Sequence, residues 1–280
     1  METNKILLIG GNGKTGRRVA NLLQDTSNVE VRIGSRSANI PFDWEKPETW
    51  TEAIKDINTV YITFQPDLAV PFATEAIQKF TLLATKLGVK KMVLLSGRGE
   101  KEAQICEEIV KATAQNWTIV RASWFNQNFS ESFFLEPILA GYVALPRAET
   151  LEPFTDADDI AEVVKEALLN EKHNEKTYDL TGPQLLTFKQ AVAEIAKITE
   201  RNIIFQALEL EEYIAMLREY KVSEDEIWLI NYLFSEVLDG RNSSITNDIE
   251  QILGRKAATF SEYVQRTAQT GIWNEVNQLS

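Results

Sequence analysis

The stretch KILLIGGNGKTGRRV, residues 5–19, decides the fold of this chain. A short apolar run leads into a turn in which Gly10, Gly13 and Gly16 are spaced three apart, and a helical pattern follows. At a first strand-to-helix turn, such glycines allow a tight turn, close approach of backbone N–H groups to a pyrophosphate, and close packing of helix on strand. A glycine-rich turn without a ligand is the alternative, but the position of the three glycines favours dinucleotide binding.

The rest of the first half repeats this strand–helix rhythm. Short apolar runs rich in β-branched residues recur between amphipathic helical patterns, as expected for strands buried on both faces; they are VEVRIGS (29–35), TVYITF (59–64), KMVLLS (91–96), WTIVRA (117–122) and KTYDLTG (176–182). We therefore predict an α/β fold with a Rossmann-type, doubly wound parallel sheet over residues 1–182. Residues 183–280 are predicted to form a smaller, mainly helical, substrate-facing lobe with one strand at 203–209.

Composition excludes several classes of function. The chain has 29 basic and 41 acidic residues, a formal net charge of −12, which gives little electrostatic support for nucleic-acid binding. No apolar run reaches the roughly eighteen residues of a membrane span. A single cysteine, Cys106, and a single histidine, His173, leave little for a transition-metal site and suit a cytoplasmic protein. We expect Cys106 to be packed in a helix and His173 to be solvated and not catalytic.

The end of the second strand predicts which dinucleotide binds. It reads GSRS, with Ser35 and Arg36, and no acid follows until Asp43. An NAD site typically has an acid here for the ribose hydroxyls, whereas Arg and Ser can bind a 2′-phosphate, and Lys14 in the glycine turn adds charge. We therefore predict NADP in preference to NAD. Asp43 is placed to meet the adenine amino group, or else serves as a turn or cap residue.

Several segments together resemble one known family. They are GGNGKTGRRV, GSRS, KKMVLLSGRG, WTIVRASWFNQNF, PFTDADDIAEVV and DGRNSSITNDIEQILGRKAATFSEYV. In this order they resemble the NmrA-like family of atypical short-chain dehydrogenases/reductases over nearly the whole chain. The resemblance implies a Rossmann core with a smaller C-terminal lobe. It also implies either NAD(P)H-dependent reduction of quinones, azo compounds, dyes or ergot-alkaloid-type substrates, or dinucleotide binding without known turnover.

The resemblance also assigns roles to residues. The three glycines match the pyrophosphate loop, Arg36 the NADP-selecting position, Thr63–Pro66 the loop that flanks the nicotinamide ribose, and Ser96 the end-of-strand serine. Asn126, in the segment that closes over the nicotinamide, is expected to be a polar contact. The expected cofactor contacts are Gly10, Asn12, Gly13, Lys14, Thr15, Gly16, Ser35, Arg36, Asp43, Thr63, Phe64, Gln65, Pro66, Ser96, Ala122, Trp124 and Asn126.

One departure from the wider class matters for chemistry. Ordinary short-chain dehydrogenases carry a Tyr and a Lys four apart on the helix after the serine, and the Lys lowers the Tyr pKa for proton transfer. Residues 94–111 contain no Tyr, and Ala103 and Glu107 fall at those two positions. A hydride acceptor that needs no enzymic proton donor, such as a quinone, an azo compound or an iminium ion, resolves this difficulty. Ser96 remains the one candidate catalytic residue.

The acceptor pocket is expected to have aromatic walls. The candidates are Trp124, Phe125, Phe154, Trp228 and Tyr232, although aromatic residues at helical spacing are usually core. We favour an NADPH-dependent oxidoreductase that acts on a small-molecule acceptor. A non-catalytic NAD(P)-binding redox sensor fits the missing Tyr and Lys equally well, and the same absence disfavours an epimerase. No metal is expected, and a homodimer is left open.

Overall fold

The computed structural model describes residues 3–274. Within that range a six-stranded parallel sheet has the order β2-β1-β3-β4-β5-β7. Its strands are β1 (Asn4–Ile9), β2 (Val29–Gly34), β3 (Thr59–Ile62), β4 (Lys91–Gly97), β5 (Asn116–Ala122) and β7 (Lys176–Leu180). The strand order runs from β1 to β2 on one side and, after β2, continues with β3 on the other side of β1. A doubly wound sheet binds its ligands at such a switch point, outside the carboxyl ends of the strands.

Helices cover both faces of the sheet. They are α1 (Lys14–Leu23), α2 (Trp50–Ile54), α3 (Ala73–Lys86), α4 (Lys101–Thr113), α6 (Ala157–Leu169) and α10 (Asp248–Leu253). Leu7, Val60 and Met92 belong to one core cluster with residues of α3 and α4. Successive side chains of a strand point to opposite faces of the sheet. Tyr61, which follows Val60, therefore points to the other face, where its hydroxyl donates to Thr15 Oγ1 of α1 at 2.9 Å. The predicted Rossmann-type fold is confirmed.

The described chain divides into two compact units. The unit that holds the six-stranded sheet comprises residues 3–122, 157–180 and 248–255, and the other comprises residues 123–156, 181–247 and 256–274. This division differs from a single boundary after residue 182. Residues 157–180, with the strand β7 that pairs with β5, belong to the sheet unit as predicted. The difference lies in residues 123–156, which group with the second unit, and in residues 248–255, which group with the sheet unit, where the Asp248 carboxylate accepts the backbone N–H of Asp179 at 2.7 Å.

The second unit is mainly helical. It contains α5 (Leu135–Leu139), α7 (Phe188–Thr199), α8 (Leu210–Glu219), α9 (Glu224–Tyr232) and α11 (Phe260–Ala268), with β6 (Tyr142–Leu145) parallel to β8 (Ile204–Ala207). A core cluster of aromatic and aliphatic side chains that includes Phe129, Phe188 and Trp273 holds it together. The predicted strand at 203–209 is β8, whereas β6 was not predicted. Over residues 3–274, no helix is long and apolar enough to cross a bilayer.

Candidate functional site

The glycine turn between β1 and α1 is closely packed. Gly10 has φ +69°, and a Cβ at this position would lie 2.1 Å from Thr63 Oγ1. A Cβ at Gly16 would lie 2.2 Å from the Gly10 carbonyl oxygen, so packing alone requires two of the three glycines. Gly13 precedes α1 and gives it no side-chain cap, so the N–H groups of the first helical turn have no partner within the helix. Such a helix start favours an anionic ligand.

Polar side chains meet at the carboxyl ends of β1 and β2. Asn12 Nδ2 donates to Ser35 Oγ at 3.0 Å and lies 3.5 Å from Ser37 Oγ. Arg36 lies between the two serines and is exposed. Asp43 Oδ1 accepts the backbone N–H of Glu45 at 3.1 Å, so this side chain forms the local turn that was its alternative role. Asn12 and Ser35 therefore form a hydrogen-bonded pair next to the exposed Arg36 in the sequence.

The loop after β3 packs against the glycine turn. Thr63 Oγ1 donates to the Ile9 carbonyl at 2.9 Å, and Trp44 Nε1 donates to the Thr63 carbonyl at 3.0 Å. Phe64 is buried, with its ring centroid 4.7 Å from that of Trp44. Gln65 and Pro66, joined by a cis peptide bond, are exposed. The structure thus brings the predicted ribose-flanking loop and the predicted pyrophosphate loop into contact.

Ser96 differs from the expectation for a catalytic serine. Its hydroxyl donates to Glu107 Oε1 at 2.7 Å, and Arg121 completes the site with bonds from Nε to Oε1 at 2.8 Å and from Nη2 to Oε2 at 2.6 Å. Glu107 is fully buried, and Arg121 Nη1 also lies 3.7 Å from Asp179. The Ser96 hydroxyl therefore has its only proton committed to Glu107. It cannot donate to an acceptor carbonyl and it does not cap α4.

The two positions that would hold a Tyr and a Lys are both internal. Ala103 is fully buried, and Glu107 lies one turn further along α4. Cys106, on the same helix, is buried as expected, and burial raises the pKa of its thiol to about 11. This helix therefore offers no acid of the Tyr–Lys type.

The expectation that His173 is solvated is wrong. The side chain is buried, and its Nδ1 lies 2.9 Å from the Tyr178 hydroxyl. Burial lowers its pKa, with a further contribution from the charge of Lys172. The Thr118 hydroxyl donates to the His173 carbonyl at 2.8 Å, so the residue ties the start of β7 to β5. Its role is structural.

The second unit contains buried polar atoms that have no hydrogen-bond partner among the described residues. Both amide atoms of Asn126 and the hydroxyl of Ser123 are buried with no hydrogen-bond partner among the described residues. Nearby, Gln127 Nε2 donates to Asp156 at 2.8 Å, and Arg266 pairs with the same carboxylate. Buried side-chain amides are normally hydrogen-bonded, so the amide of Asn126 is an exception among the described residues. Ala122, the other predicted contact nearby, is the buried last residue of β5 in the sheet unit.

The aromatic candidates in the second unit have different environments. Phe154 belongs to the core and packs on Phe129 and Phe188. Trp124 packs on the same cluster but is only partly buried, and Phe125 is partly buried where it bridges to Thr155. Trp228 and Tyr232 stack with their ring centroids 5.8 Å apart and their planes 9° apart, and Trp228 is 44% exposed. This stacked pair is not ordinary core packing.

Sequence reasoning missed two charged features of the sheet unit. The first is Arg121, which pairs with Glu107. The second is the carboxyl of Glu100, which is buried and whose pKa burial raises well above its usual range. Nothing in the sequence pattern predicts the burial of this acid. Within residues 3–274, no group of three or more His, Cys, Asp or Glu side chains is placed to hold a metal ion.

Comparison with known proteins gives relatives across nearly the whole chain. No family model matches. Agroclavine dehydrogenase of Claviceps fusiformis is 29% identical over 282 residues, which cover 92% of this chain and 96% of that protein. Prestalk A differentiation protein A of Dictyostelium discoideum is 25% identical over 95% of both chains. NAD(P)H azoreductase of Xenophilus azovorans is 24% identical over 94% of this chain and 98% of its own.

Solved structures share the fold at lower identity. A nucleoside-diphosphate-sugar epimerase from Staphylococcus aureus has a TM-score of 0.80 at 17% identity, over 94% of this chain and 100% of its own. An NADPH-dependent quinone oxidoreductase from Escherichia coli, complexed with NADPH, has 0.79 at 17% over 93% and 99%. The Citrobacter sp. triphenylmethane reductase complexed with NADP(H) has 0.76 at 17% over 94% and 99%. The solved structures show that the chain shares their fold. The chain is also similar over nearly its whole length to proteins named as dehydrogenases and reductases, consistent with an atypical short-chain dehydrogenase/reductase.

Proposed function

We propose that this protein is an NADPH-dependent oxidoreductase that transfers hydride to an electron-poor acceptor such as a quinone, an azo compound or an iminium-like ion. The observation that carries the proposal is the environment of the two α4 positions that would hold the Tyr and the Lys. Glu107, at the Lys position, is buried and bonded to Ser96 and Arg121, and Ala103 has no proton to give. An acceptor that takes hydride directly and receives its proton from water needs neither group.

The relatives support a reductase in general. Proteins named as an agroclavine dehydrogenase and an NAD(P)H azoreductase match nearly the full length of the chain. The structures that share the fold include a quinone oxidoreductase and a triphenylmethane reductase with NADPH or NADP(H) bound. Since those names cover several acceptors, the acceptor of this protein is proposed from its own residues.

The sheet unit fits the dinucleotide. The glycine turn and the uncapped start of α1 suit the pyrophosphate, and Ser35 and Arg36 suit a 2′-phosphate, which favours NADPH over NADH. A bound nicotinamide would supply the hydride. Thr63 keeps its loop against the glycine turn. In this proposal the protein binds and orients, and it moves no proton through Ser96.

The acceptor has a flat surface available in the second unit. The stacked rings of Trp228 and Tyr232 expose an aromatic face on α9, and planar, electron-poor molecules stack well on such a face. Tyr220, which is 75% exposed at the end of α8, is a matched control. Replacing Trp228 with Ala should slow reduction of the acceptor, whereas Tyr220→Ala should not.

The alternative is a redox sensor that binds NAD(P) without turnover. Two observations favour it: Ser96 is committed to a structural bond, and one full-length relative is named as a differentiation protein. The experiment that decides is NADPH oxidation followed by stopped flow, with quinones, azo dyes and cationic dyes as acceptors, after affinity has been measured by fluorescence. Fast oxidation by one acceptor class supports the reductase. Tight binding without oxidation across all three classes would refute it and leave the sensor.

A further inference from the structure

Trp228 and Tyr232 form a stacked pair at the surface of the second unit. Their ring centroids lie 5.8 Å apart, their planes are 9° apart, and Trp228 is 44% exposed. The large apolar side chains that this segment buries are instead those of Ile227 and Phe234, each 3% exposed. An exposed Trp that stacks on a Tyr gives a flat aromatic surface, and such a surface favours a planar ligand.

The helix changes its geometry directly after the stacked pair. α9 ends at Tyr232, and Leu233–Val237 form a π-helical turn. Arg147 Nε donates to the Phe234 carbonyl at 3.0 Å, which ties this turn to the segment after β6. π-Helical turns are rare and frequently occur at functional sites. The turn is therefore a second, independent indication of a ligand site at the stacked pair.

The segment that contains the stacked pair is strongly acidic. Residues 209–240 carry nine acidic and two basic side chains, a formal charge of −7 out of −12 for the whole chain. Asp225 lies one helical turn before Trp228, Glu236 lies one turn after Tyr232, and both acids are exposed. Side chains three or four positions apart on a helix are neighbours, with about 5–6 Å between their Cβ atoms. The flat surface therefore has a carboxylate at each end.

The charge of this segment favours a cation on the aromatic surface. Arg218 and Arg241 are each paired with an acid, Glu224 at 3.1 Å and Asp239 at 2.6 Å respectively, so their charges are offset. A cation over the face of a Trp ring is attracted by the negative charge of that face. A second copy of this chain would bring its own acidic surface and would be repelled. A small, planar cation fits both the shape and the charge.

A cationic acceptor also fits the chemistry of a site without a proton donor. A quinone or an azo compound that accepts hydride becomes an anion and then needs a proton. An iminium-type cation that accepts hydride from NADPH gains one C–H bond and becomes neutral, with loss of one C–H bond from NADPH and formation of NADP⁺. No proton enters this reaction, so it needs no acid at Ala103 or Glu107. The neutral product is no longer attracted to the acidic surface, which favours its release.

We propose that the acceptor is a planar, delocalised organic cation of the iminium type, which stacks on Trp228 and is selected over neutral acceptors by Asp225 and Glu236. Trp228 supplies the stacking face, Tyr232 supports the Trp228 ring from behind, and the two carboxylates set the preference for positive charge. The inference rests on the proposed function for the hydride transfer, whereas the preference of the stacked pair for a cation is independent of it.

The test compares two probes of the same shape and different charge. N-methylacridinium is a permanent cation and a hydride acceptor, and acridine is its neutral counterpart when the pH is kept above the range in which acridine protonates. Equilibrium dialysis measures both dissociation constants, with and without NADP⁺. The charge variant is Asp225→Asn/Glu236→Gln, and its matched control, Asp25→Asn/Glu250→Gln, removes two exposed acids of the sheet unit. Binding is thus measured without turnover.

We expect wild type to bind N-methylacridinium about tenfold more tightly than acridine at low salt, and added salt to reduce this ratio. A carboxylate about 8 Å from the cation contributes about a factor of two to three in water, so the charge variant should lower the ratio about fivefold. The control variant should leave the ratio unchanged. Trp228→Ala should weaken both probes about fivefold or more, whereas Tyr220→Ala should weaken neither.

Equal dissociation constants for the two probes in wild type, or a ratio that the charge variant leaves unchanged, would overturn the selection of a cation. If Trp228→Ala abolished self-association in sedimentation and left both probes bound, the stacked pair would be a contact between two copies and the proposal would fail. Fast oxidation of NADPH by quinones without binding of the cation would keep the proposed function and reject this inference. Binding of the cation as expected, without oxidation of NADPH by any acceptor, would reject the proposed function and leave a site for organic cations.

Discussion

Replacing Arg121 with Met should be strongly destabilising, because it would leave the Glu107 carboxylate buried with a single donor. In the native protein Glu107 is fully buried and receives bonds of 2.8 and 2.6 Å from Arg121 and 2.7 Å from Ser96. Removing one partner of a buried ion pair typically costs about 3–5 kcal/mol, since the remaining charge is uncompensated. We expect a loss of this size in the free energy of unfolding.

Two companion variants separate charge from packing. Ser96→Ala removes one of three bonds to a charged group and should cost about 1.5–3 kcal/mol. Glu107→Gln leaves Arg121 partly exposed and near Asp179, so its cost should be smaller than that of Arg121→Met. Adding Glu107→Gln to Arg121→Met should then recover part of the loss, because the uncompensated charge is gone.

Urea unfolding followed by tryptophan fluorescence measures the wild type and the four variants, and the double-mutant cycle of Arg121→Met and Glu107→Gln gives the coupling free energy. A cost below about 1 kcal/mol for Arg121→Met, or no recovery in the double variant, would show that Glu107 does not depend on Arg121. The interpretation of α4 as a structural helix would then be refuted.

Four further outcomes are expected. Arg36→Ala should weaken NADPH binding by about 1–3 kcal/mol and barely change NADH binding in fluorescence titrations; equal losses would contradict the 2′-phosphate assignment. Asn126→Leu should leave the ligand-free protein as stable or about 1–2 kcal/mol more stable while dinucleotide affinity falls, and a large loss of stability would mean that the amide has partners within the protein. Gly13→Ala places a Cβ 3.1 Å from the Gly10 carbonyl oxygen and should weaken the binding of both NADPH and NADH, at a stability cost of about 1 kcal/mol or less. Unchanged dissociation constants in fluorescence titrations would argue against close approach of the ligand to this turn. Because burial lowers the pKa of His173, the contribution of this residue to the free energy of unfolding should fall as pH drops below the unfolded pKa of about 6.5. His173→Gln should lack this part of the pH dependence, and identical plots of unfolding free energy against pH for the two proteins would refute the prediction.

The fold could be predicted because its strands leave an unambiguous pattern. β1 and β3 are buried on both faces, so their sequences are uninterrupted apolar runs, and the glycine turn fixes their connection. β6 was not predicted because it has four residues and pairs with β8, far away along the chain. The grouping of residues 123–156 with the second unit and of residues 248–255 with the sheet was not predicted, since it depends on tertiary pairing and not on local composition.

The site was less predictable than the fold, for a physical reason. The glycines, Ser35 and Arg36 lie near one another along strand ends, so their arrangement follows from topology. Burial of charged groups does not follow from topology. His173 stands among polar residues in NEKHNEK and was expected to be solvated, yet it packs against Tyr178.

The missing Tyr–Lys pair is therefore not a defect that one substitution would repair. A Tyr at Ala103 would have to enter a fully buried position, and overpacking a core costs about 1–3 kcal/mol or more. A Lys at Glu107 would face the Arg121 guanidinium and leave the Ser96 hydroxyl without its acceptor. Because the packing and the ion pair depend on each other, the helix favours a chemistry that takes its proton from elsewhere. An acceptor that receives hydride first and a proton from water afterwards fits this constraint, whereas an alcohol–ketone substrate does not.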